Sequence, residues 1–132
     1  YRNRPDWQVF GEACRESKNP VCYNGDIFSV EDYQRFTDTF PAVDRVMLGR
    51  GLLMNPGLSG EILLGKRMEK QTLRRFHDAL YERYKEELSG SKLVLFKMKE
   101  LWGFLAPVFT NYEKYAKKIK KAEKPQVYER AV

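Results

Sequence analysis

The chain has 132 residues, of which 42% are hydrophobic and 32% are charged, and its formal net charge is +6. This composition is typical of a soluble globular protein with core enough for one domain or two small ones. No stretch approaches the roughly 18 consecutive apolar residues of a membrane span. Two cysteines and one histidine are too few for a disulfide scaffold or a zinc site of the usual ligand spacing. We therefore expect a reducing, cytoplasmic location and predict no metal site.

The positive charge is concentrated in the second half of the chain. Residues 1–65 hold 7 basic and 9 acidic side chains, whereas residues 66–132 hold 17 basic and 9 acidic ones. Such asymmetry predicts a module that faces a polyanion, joined to one that is nearly neutral.

The first predicted element is an amphipathic helix from Asp6 to Ser17, directly after Pro5, which suits a first helical turn. Its apolar side chains recur at helical spacing, so we expect them to face the core. They are Trp7, Phe10, Ala13 and Cys14.

Two short apolar runs, Val21–Tyr23 and Val46–Leu48, are predicted to be β-strands on either side of a second helix. Ser29 is the expected N-cap of that helix, with Asp32 as its capping-box partner. A strand–helix–strand unit of this kind makes the two strands parallel, and parallel strands are normally buried on both faces. Cys22 is therefore expected to be a small core residue.

A glycine turn follows each predicted strand. Asn24 and Gly25 follow the first strand, and Gly49 and Arg50 follow the second. Because the carboxyl ends of neighbouring parallel strands lie on one rim, the two turns are predicted to bind a single anion through backbone N–H groups and the Arg50 guanidinium. The alternative is that the glycines only form turns. Asp26 would repel an anion, so we expect it to cap the backbone or to pair with a neighbour such as Arg50.

After a short helix from Pro56 to Leu64, only helix-type periodicity remains, which predicts a domain boundary near Gly65. Residues 123–132 are predicted to be a frayed tail. The predicted helices of the second half span Thr72–Leu88, Ser91–Ala106 and Tyr112–Ala122, with Thr72 and Asn111 as N-caps. Side chains expected to face inward include Leu58, Ile62, Leu63, Leu73, Phe76, Leu80, Tyr84, Leu88, Val94, Met98, Leu101, Leu105, Tyr112, Tyr115, Ala116 and Ile119.

Four lysines share one face of the helix that begins at Tyr112, and they have few acidic neighbours. This pattern is typical either of a solvated face or of a stripe that contacts RNA phosphates. The four are Lys114, Lys117, Lys118 and Lys121. Lys97 and Lys99, with Arg74, Arg75 and Lys92, are expected to extend the same surface. His77 lies one position off the apolar stripe and has no partner at motif spacing, so a structural or surface role is expected for it. Trp102 is expected to pack in the core or between domains, with base stacking as the alternative.

Several motifs together resemble the tRNA-dihydrouridine synthases. Asn24-Gly25-Asp26-Ile27, followed by Val46–Gly51 and Asn55-Pro56, is similar to the last two βα units of that family. Upstream, Tyr1 and Pro5-Asp6-Trp7 are similar to the end of the preceding loop and the start of the next helix. Lys97–Leu105 is similar to a lysine–tryptophan segment in the helical domain of one bacterial subgroup. The resemblance covers most of residues 1–122.

The resemblance implies a mostly helical chain in two parts. Residues 1–65 would be the α/β C-terminal part of an FMN-binding (β/α)8 TIM barrel, and residues 66–132 an all-α helical bundle that binds tRNA. A complete barrel needs about 250 residues. We therefore expect a C-terminal portion of a longer enzyme, which self-associates through exposed barrel strands.

The activity that the resemblance implies is reduction of uridine to dihydrouridine in tRNA, with FMN as cofactor and NADPH as its reductant. Asn24, Gly25, Gly49 and Arg50 would hold the FMN phosphate. The family's catalytic cysteine lies on an earlier barrel loop, so no catalytic residue is predicted here and the isolated chain is expected to be inactive. Two alternatives remain: a non-catalytic RNA-binding helical module with a structural α/β stub, or another FMN-dependent barrel oxidoreductase acting on a small molecule.

Overall fold

A computed structural model describes residues 4–132, so the predicted match at Tyr1 lies outside the described residues. The described chain is mostly helical, with one pair of short parallel strands, as predicted. In chain order the elements are α1 (Trp7–Glu16), β1 (Cys22–Tyr23), α2 (Val30–Thr39), β2 (Arg45–Val46), α3 (Arg50–Met54), α4 (Leu58–Leu64), α5 (Lys70–Glu87), α6 (Ser91–Leu105), a 3₁₀ turn (Ala106–Val108), α7 (Tyr112–Lys121) and α8 (Pro125–Ala131). No helix within residues 4–132 has the length and apolar character needed to cross a membrane.

Side-chain caps fix the starts of the first two helices. The Oδ1 atom of Asp6 accepts hydrogen bonds from the backbone N–H groups of Gln8 and Val9, both at 3.0 Å. The Ser29 hydroxyl accepts from the N–H of Asp32, as predicted. The Asp32 carboxylate, however, accepts from the N–H of Phe28 at 3.0 Å rather than from that of Ser29. The capping box therefore closes one residue earlier than the usual motif.

The two strands pair directly and in parallel, with Cys22 opposite Arg45 and Tyr23 opposite Val46. Helix α2 connects them. The backbone N–H of Met47 donates a hydrogen bond to the carbonyl of Tyr23 at 2.7 Å, which extends the pairing by one step. The parallel arrangement is confirmed, although β2 begins and ends earlier than the predicted strand.

The core of the first half is aromatic. Tyr23, Ile27 and Phe36 are buried at its centre, and the Tyr23 and Phe36 rings stack with centroids 4.1 Å apart. The indole N–H of Trp7 donates to the Tyr23 hydroxyl at 2.9 Å. Partly buried side chains surround this centre: Trp7, Phe10, Tyr33, Phe40, Val43, Val46 and Leu48.

The expectation that both strands are buried on both faces is wrong. Cys22 is exposed on β1 and Met47 is 54% exposed just after β2. Each strand has a single neighbour in the described chain, so one edge of each strand is unpaired, and the exposed Cys22 and Met47 show that the pair is not covered on both faces. Cys22 is consequently not a core residue, while Cys14 on α1 is half-buried.

Two short helices connect the halves. The predicted helix from Pro56 to Leu64 is present as α4, where Leu58 is fully buried. Leu63, expected to face inward, is 77% exposed, because α4 packs on α2 and α3 through its opposite side. Gly65 ends α4 in the left-handed conformation, with φ of 63°. Helix α3 also contacts α6 and the 3₁₀ turn, so the predicted domain boundary stays a prediction.

Helices α5 to α8 pack around a second core. The buried members of this core are Tyr81, Val94, Leu95, Met98, Leu101, Ile119, Ala122 and Tyr128. On α6, all four predicted inward-facing positions are buried, which confirms the prediction for this helix.

Helix α5 starts earlier than predicted, and one of its predicted inward-facing side chains is exposed. It begins at Lys70, and Glu69 rather than Thr72 occupies the N-cap position, without a side-chain capping bond. Its buried residues are His77 and Tyr81, whereas the predicted Phe76 is 39% exposed. Leu80, Tyr84 and Leu88 are partly buried against the core, as predicted, and His77 is buried beside them because it has hydrogen-bond partners there.

Helix α7 has the predicted extent but buries less than expected. Ile119 is buried, while Tyr112 and Tyr115 are 36% and 51% exposed, so their assignment to the core is wrong. Asn111 holds the N-cap position with a positive φ of 56° and makes no side-chain capping bond. Packing against α6 and α8 is carried by Ile119 and the following Ala122.

The prediction of a frayed tail is also wrong. Residues 125–131 form α8, which begins with Pro125 in its first turn and buries Tyr128 completely. The Tyr128 hydroxyl is bonded to both His77 and Trp102. Both residues therefore have the structural role predicted for them, and the lysine-rich α7 is not the last helix.

Candidate functional site

The turns that follow β1 and β2 line a single open cleft of about 720 Å³. The structure brings together all four predicted site residues there, at the carboxyl ends of both strands. The residues that line the cleft are Arg4, Pro5, Asn24, Gly25, Asp26, Phe28, Gly49, Arg50, Gly51 and Leu53. A parallel pair of strands places both turns on one edge of the sheet, which is where α/β proteins bind ligands.

Arg50 is held at the cleft from two sides. One guanidinium nitrogen, Nη2, pairs with Oδ1 of Asp26, and the guanidinium carbon lies 5.6 Å from the centroid of the Phe28 ring. The predicted pairing of Asp26 with Arg50 is therefore confirmed. Both side chains are partly exposed, so such a pair contributes only about 0–1 kcal/mol to stability. Its main effect is to orient the guanidinium relative to the two turns.

Close packing requires glycine at positions 25 and 51 but not at position 49. A Cβ on Gly25 would lie 2.0 Å from the hydroxyl of Tyr23, and a Cβ on Gly51 would lie 2.2 Å from the carbonyl oxygen of Ile27. A Cβ on Gly49 would meet nothing within 4 Å. Gly49 also has a negative φ, so neither its surroundings nor a positive φ requires glycine at this position. The open space beside it belongs to the cleft.

Arg4 was missed by the sequence reasoning. It lines both the main cleft and an adjoining cavity of about 470 Å³ that also includes Trp7 and Asp32. Nothing in the local pattern around Arg4 indicates a site, because it precedes the first helix and reaches the turns only through the fold. The cleft thus has two arginines beside one carboxylate from Asp26.

The predicted lysine face on α7 is exposed to solvent along its whole length. The ion pairs found within residues 4–132 include none of Lys114, Lys117, Lys118 and Lys121. On α6, by contrast, Lys97 pairs with Glu100 at 3.1 Å and Lys99 is half-buried. The α7 lysines are therefore an uncompensated positive surface, whereas Lys97 is partly neutralised.

Comparison with known proteins agrees with the motifs at the two turns. Residues 1–131 match the family model described as dihydrouridine synthase. Over 70 residues the chain is 33% identical to the tRNA-dihydrouridine(16) synthase of Pseudomonas syringae pv. tomato (strain ATCC BAA-871 / DC3000). This alignment covers 53% of the chain and 22% of that protein, so the matched part spans about a fifth of the relative. The family match extends over nearly the whole sequence, and the chain belongs to the dihydrouridine synthase family.

Proposed function

We propose that this chain is the cofactor-phosphate and RNA-holding part of a flavin-dependent tRNA-dihydrouridine synthase. The observation that carries the proposal is the shared cleft, where the turns after two parallel strands meet at Arg50 in a member of this family. In (β/α)8 barrels, phosphate commonly binds at the loops after the last two strands. Residues 1–65 would occupy that part of a barrel.

The residues at the cleft fit the phosphate of FMN. Gly49 leaves open space where a side chain would otherwise block close approach of a ligand to the backbone. Asn24 is exposed beside it and can donate from its amide group. Arg4 and Arg50 add positive charge that exceeds the single negative charge of Asp26.

Bound FMN, once reduced by NADPH, would supply the hydride for reduction of the C5–C6 double bond of a uridine. In this chain, Asn24, Gly25, Gly49 and Arg50 would hold the phosphate end of the cofactor. We assign no catalytic residue to residues 4–132, since the cysteine expected to act as general acid belongs to an earlier loop of the barrel. The isolated chain should form no dihydrouridine when given FMN, NADPH and unmodified tRNA, and product detected by mass spectrometry would contradict this assignment.

The helical half would hold tRNA through its phosphates. Four exposed lysines on α7 have no ion-pair partner among the described residues, which leaves their charge available for a polyanion. Contacts of this kind position an RNA without reading its sequence. The same observation supports a second candidate, an RNA-binding module that holds no flavin.

A comparison of FMN with riboflavin tests the phosphate site, because the two ligands differ only in the phosphate. We expect FMN to bind the chain more tightly than riboflavin in a fluorescence titration. Arg50→Gln should reduce the preference for FMN over riboflavin by about 10- to 150-fold, since hydrogen bonds to charged groups contribute about 1.5–3 kcal/mol. Arg45→Gln is the matched control, because Arg45 is an exposed arginine on β2 outside the cleft.

The outcomes separate the two candidates. Equal affinity for FMN and riboflavin, or an Arg50 variant that binds FMN like the native chain, would contradict the phosphate site. A chain that binds tRNA but binds FMN no more tightly than riboflavin would favour the RNA-binding module.

A further inference from the structure

The outward side of α6 carries an unusually exposed aromatic ring. Phe96 is 64% exposed, more than any other aromatic side chain among the described residues, and Leu93 one turn earlier is 50% exposed. Lysines lie on both sides of the ring, at positions 92, 97 and 99. The Nζ atom of Lys97 lies 6.0 Å from the centroid of the Phe96 ring, at the limit of a cation–π contact.

A cavity of about 490 Å³ opens beside this ring. It lies between α6 and the residues that follow α7, and its lining residues are Lys92, Leu95, Phe96, Lys99, Ala122 and Glu123. The apolar floor comes from Leu95 and Ala122, which are buried in the helical core. Ala122 directly follows Lys121, so the lysine-bearing helix ends at the edge of this cavity.

An exposed aromatic ring between lysines matches the chemistry of an unpaired nucleotide. Any of the four bases can stack on the ring, because each has a flat π-face. Ammonium groups on either side attract the flanking phosphates. A folded protein partner would instead be expected to bury the apolar side chains without needing three surrounding cations. The one carboxylate that lines the cavity is Glu123, against Lys92 and Lys99, so the local charge is positive.

We propose that Phe96 is a stacking platform for one unpaired base of an RNA, with Lys92 and Lys99 contacting the adjacent phosphates. The inference rests on the proposed function in taking tRNA as the biological RNA. It adds a contact to the base itself, which the phosphate-binding lysines of α7 do not provide.

The test uses the complete chain with two RNA probes, a labelled 12-nucleotide oligouridylate and a 12-base-pair RNA duplex. Phe96→Leu keeps apolar bulk but removes the aromatic face, and its expected effect is about 5- to 150-fold weaker binding of the oligouridylate, the range for loss of one stacked base. Its salt dependence should stay as in the native chain. Leu93→Ala, an exposed apolar change one turn away, is the matched control and should bind like the native chain.

The lysines give an independent readout. Lys92→Gln combined with Lys99→Gln should flatten the salt dependence of oligouridylate binding by about 1.4 in the log–log slope, since each phosphate contact on a single strand contributes about 0.7. Thermal melting of each variant checks that the fold is intact, which is expected because Phe96 is largely exposed.

Three results would overturn the platform: Phe96→Leu binds the oligouridylate as the native chain does, it weakens duplex binding equally, or it dissociates a dimer and so shows that a second copy covers the ring. If the native chain binds tRNA and Phe96→Leu has no effect on either probe, the platform fails while the proposed function stands. If oligouridylate binding depends on Phe96 but tRNA is not bound, the platform stands and the proposed function fails. A native chain that binds no RNA at all would overturn both.

Discussion

The hydroxyl of Tyr128 lies 2.7 Å from Nε2 of His77, and this contact joins the last helix to α5 inside the helical core. The same oxygen accepts a hydrogen bond from the indole N–H of Trp102 at 2.9 Å. Because an indole nitrogen can only donate, the Tyr128 proton is left to point toward His77, whose Nε2 must accept. The other ring nitrogen, Nδ1, then carries the proton and donates to Asp78 at 2.8 Å. The network is complete only with neutral histidine.

Stability should therefore fall as the pH drops below about 6.5, the ordinary pKa of histidine. Burial lowers the pKa of His77 in the folded chain, against the opposing effect of the Asp78 carboxylate. The unfolded chain then binds a proton before the folded chain does, so the contribution present above pH 6.5 is lost as the pH falls through the folded value. Urea unfolding between pH 8 and pH 5 measures this loss.

A His77→Gln variant is the control for the pH experiment, because glutamine can accept from Tyr128 but does not titrate. His77 is the sole histidine of the sequence. The hydrogen bond from His77 lowers the pKa of Asp78, so that carboxylate titrates only below its ordinary range near 4. A pH dependence between 7 and 5 that persists in His77→Gln would contradict the assignment.

Replacing Tyr128 with phenylalanine should destabilise the chain at neutral pH. The change leaves Nε2 of His77 and the indole N–H of Trp102 buried without partners, and each unsatisfied group costs about 1–3 kcal/mol. Tyr115→Phe removes a hydroxyl from a side chain that is 51% exposed, so its effect should stay within about 0.5 kcal/mol. Equal unfolding free energies for the two variants in urea would show that α8 does not depend on this network.

The glycines at the cleft should respond differently to alanine. Gly51→Ala is expected to cost about 1–3 kcal/mol of unfolding free energy, because the new methyl group would overlap the carbonyl oxygen of Ile27. Gly49→Ala should leave stability unchanged within about 0.5 kcal/mol while weakening FMN binding, since its methyl group would project into the cleft. Thermal unfolding combined with flavin titration measures both effects. If Gly49→Ala binds FMN as tightly as the native chain does, the ligand does not contact the part of the cleft at Gly49.

The lysine face of α7 predicts a salt-dependent affinity for tRNA. Substituting glutamine at all four positions should weaken binding at low salt and flatten the dependence of affinity on salt by roughly 0.9 in the log–log slope for each lost contact to a double-stranded segment. The four positions are Lys114, Lys117, Lys118 and Lys121. Arg83→Gln with Lys85→Gln is the comparison, because both side chains already pair with glutamates on α5. If both variants lose the same tRNA affinity for each positive charge removed, the α7 lysines do not form a specific RNA-binding surface.

Self-association of the isolated chain is expected from its uncovered apolar side chains. Met47, Leu63 and Leu64 are 54%, 77% and 71% exposed, and β1 and β2 each leave one edge unpaired in the described chain. Light scattering over a range of concentrations should show dimers or larger species. Leu63→Gln with Leu64→Gln should shift the equilibrium toward monomer, and a compact monomer of the native chain at high concentration would contradict the expectation.

Sequence patterns correctly predicted the elements that are stabilised by contacts between residues close in sequence. The hydroxyl of Ser29 begins α2 as the sequence indicates, because an N-cap acts within its own helix turn. The apolar 3–4 spacing of α6 predicted its buried face for the same reason. The cleft was foreseeable because two glycine turns after parallel strands share an edge by geometry alone.

The errors occur where tertiary contacts outweigh local pattern. Helix α8 is short and has charged neighbours, and its order comes from bonds between Tyr128 and residues 26 and 51 positions away. His77 was placed outside the apolar stripe because polar residues are rarely buried without partners, and its buried partner Tyr128 lies 51 positions away in sequence. Arg4 reaches the cleft for a similar long-range reason. Cys22 was misplaced because the strand pattern does not reveal how many neighbours a strand will have.

Helix α3 has five residues, begins at Arg50 on the rim of the cleft, and packs against α6. A ligand that immobilises Arg50 would also restrain α6, the helix that carries Phe96. A helix as short as α3 bends little, so a displacement at one end is transmitted to the other. Flavin binding and RNA binding would then be linked equilibria, each changing the affinity for the other ligand by the same factor.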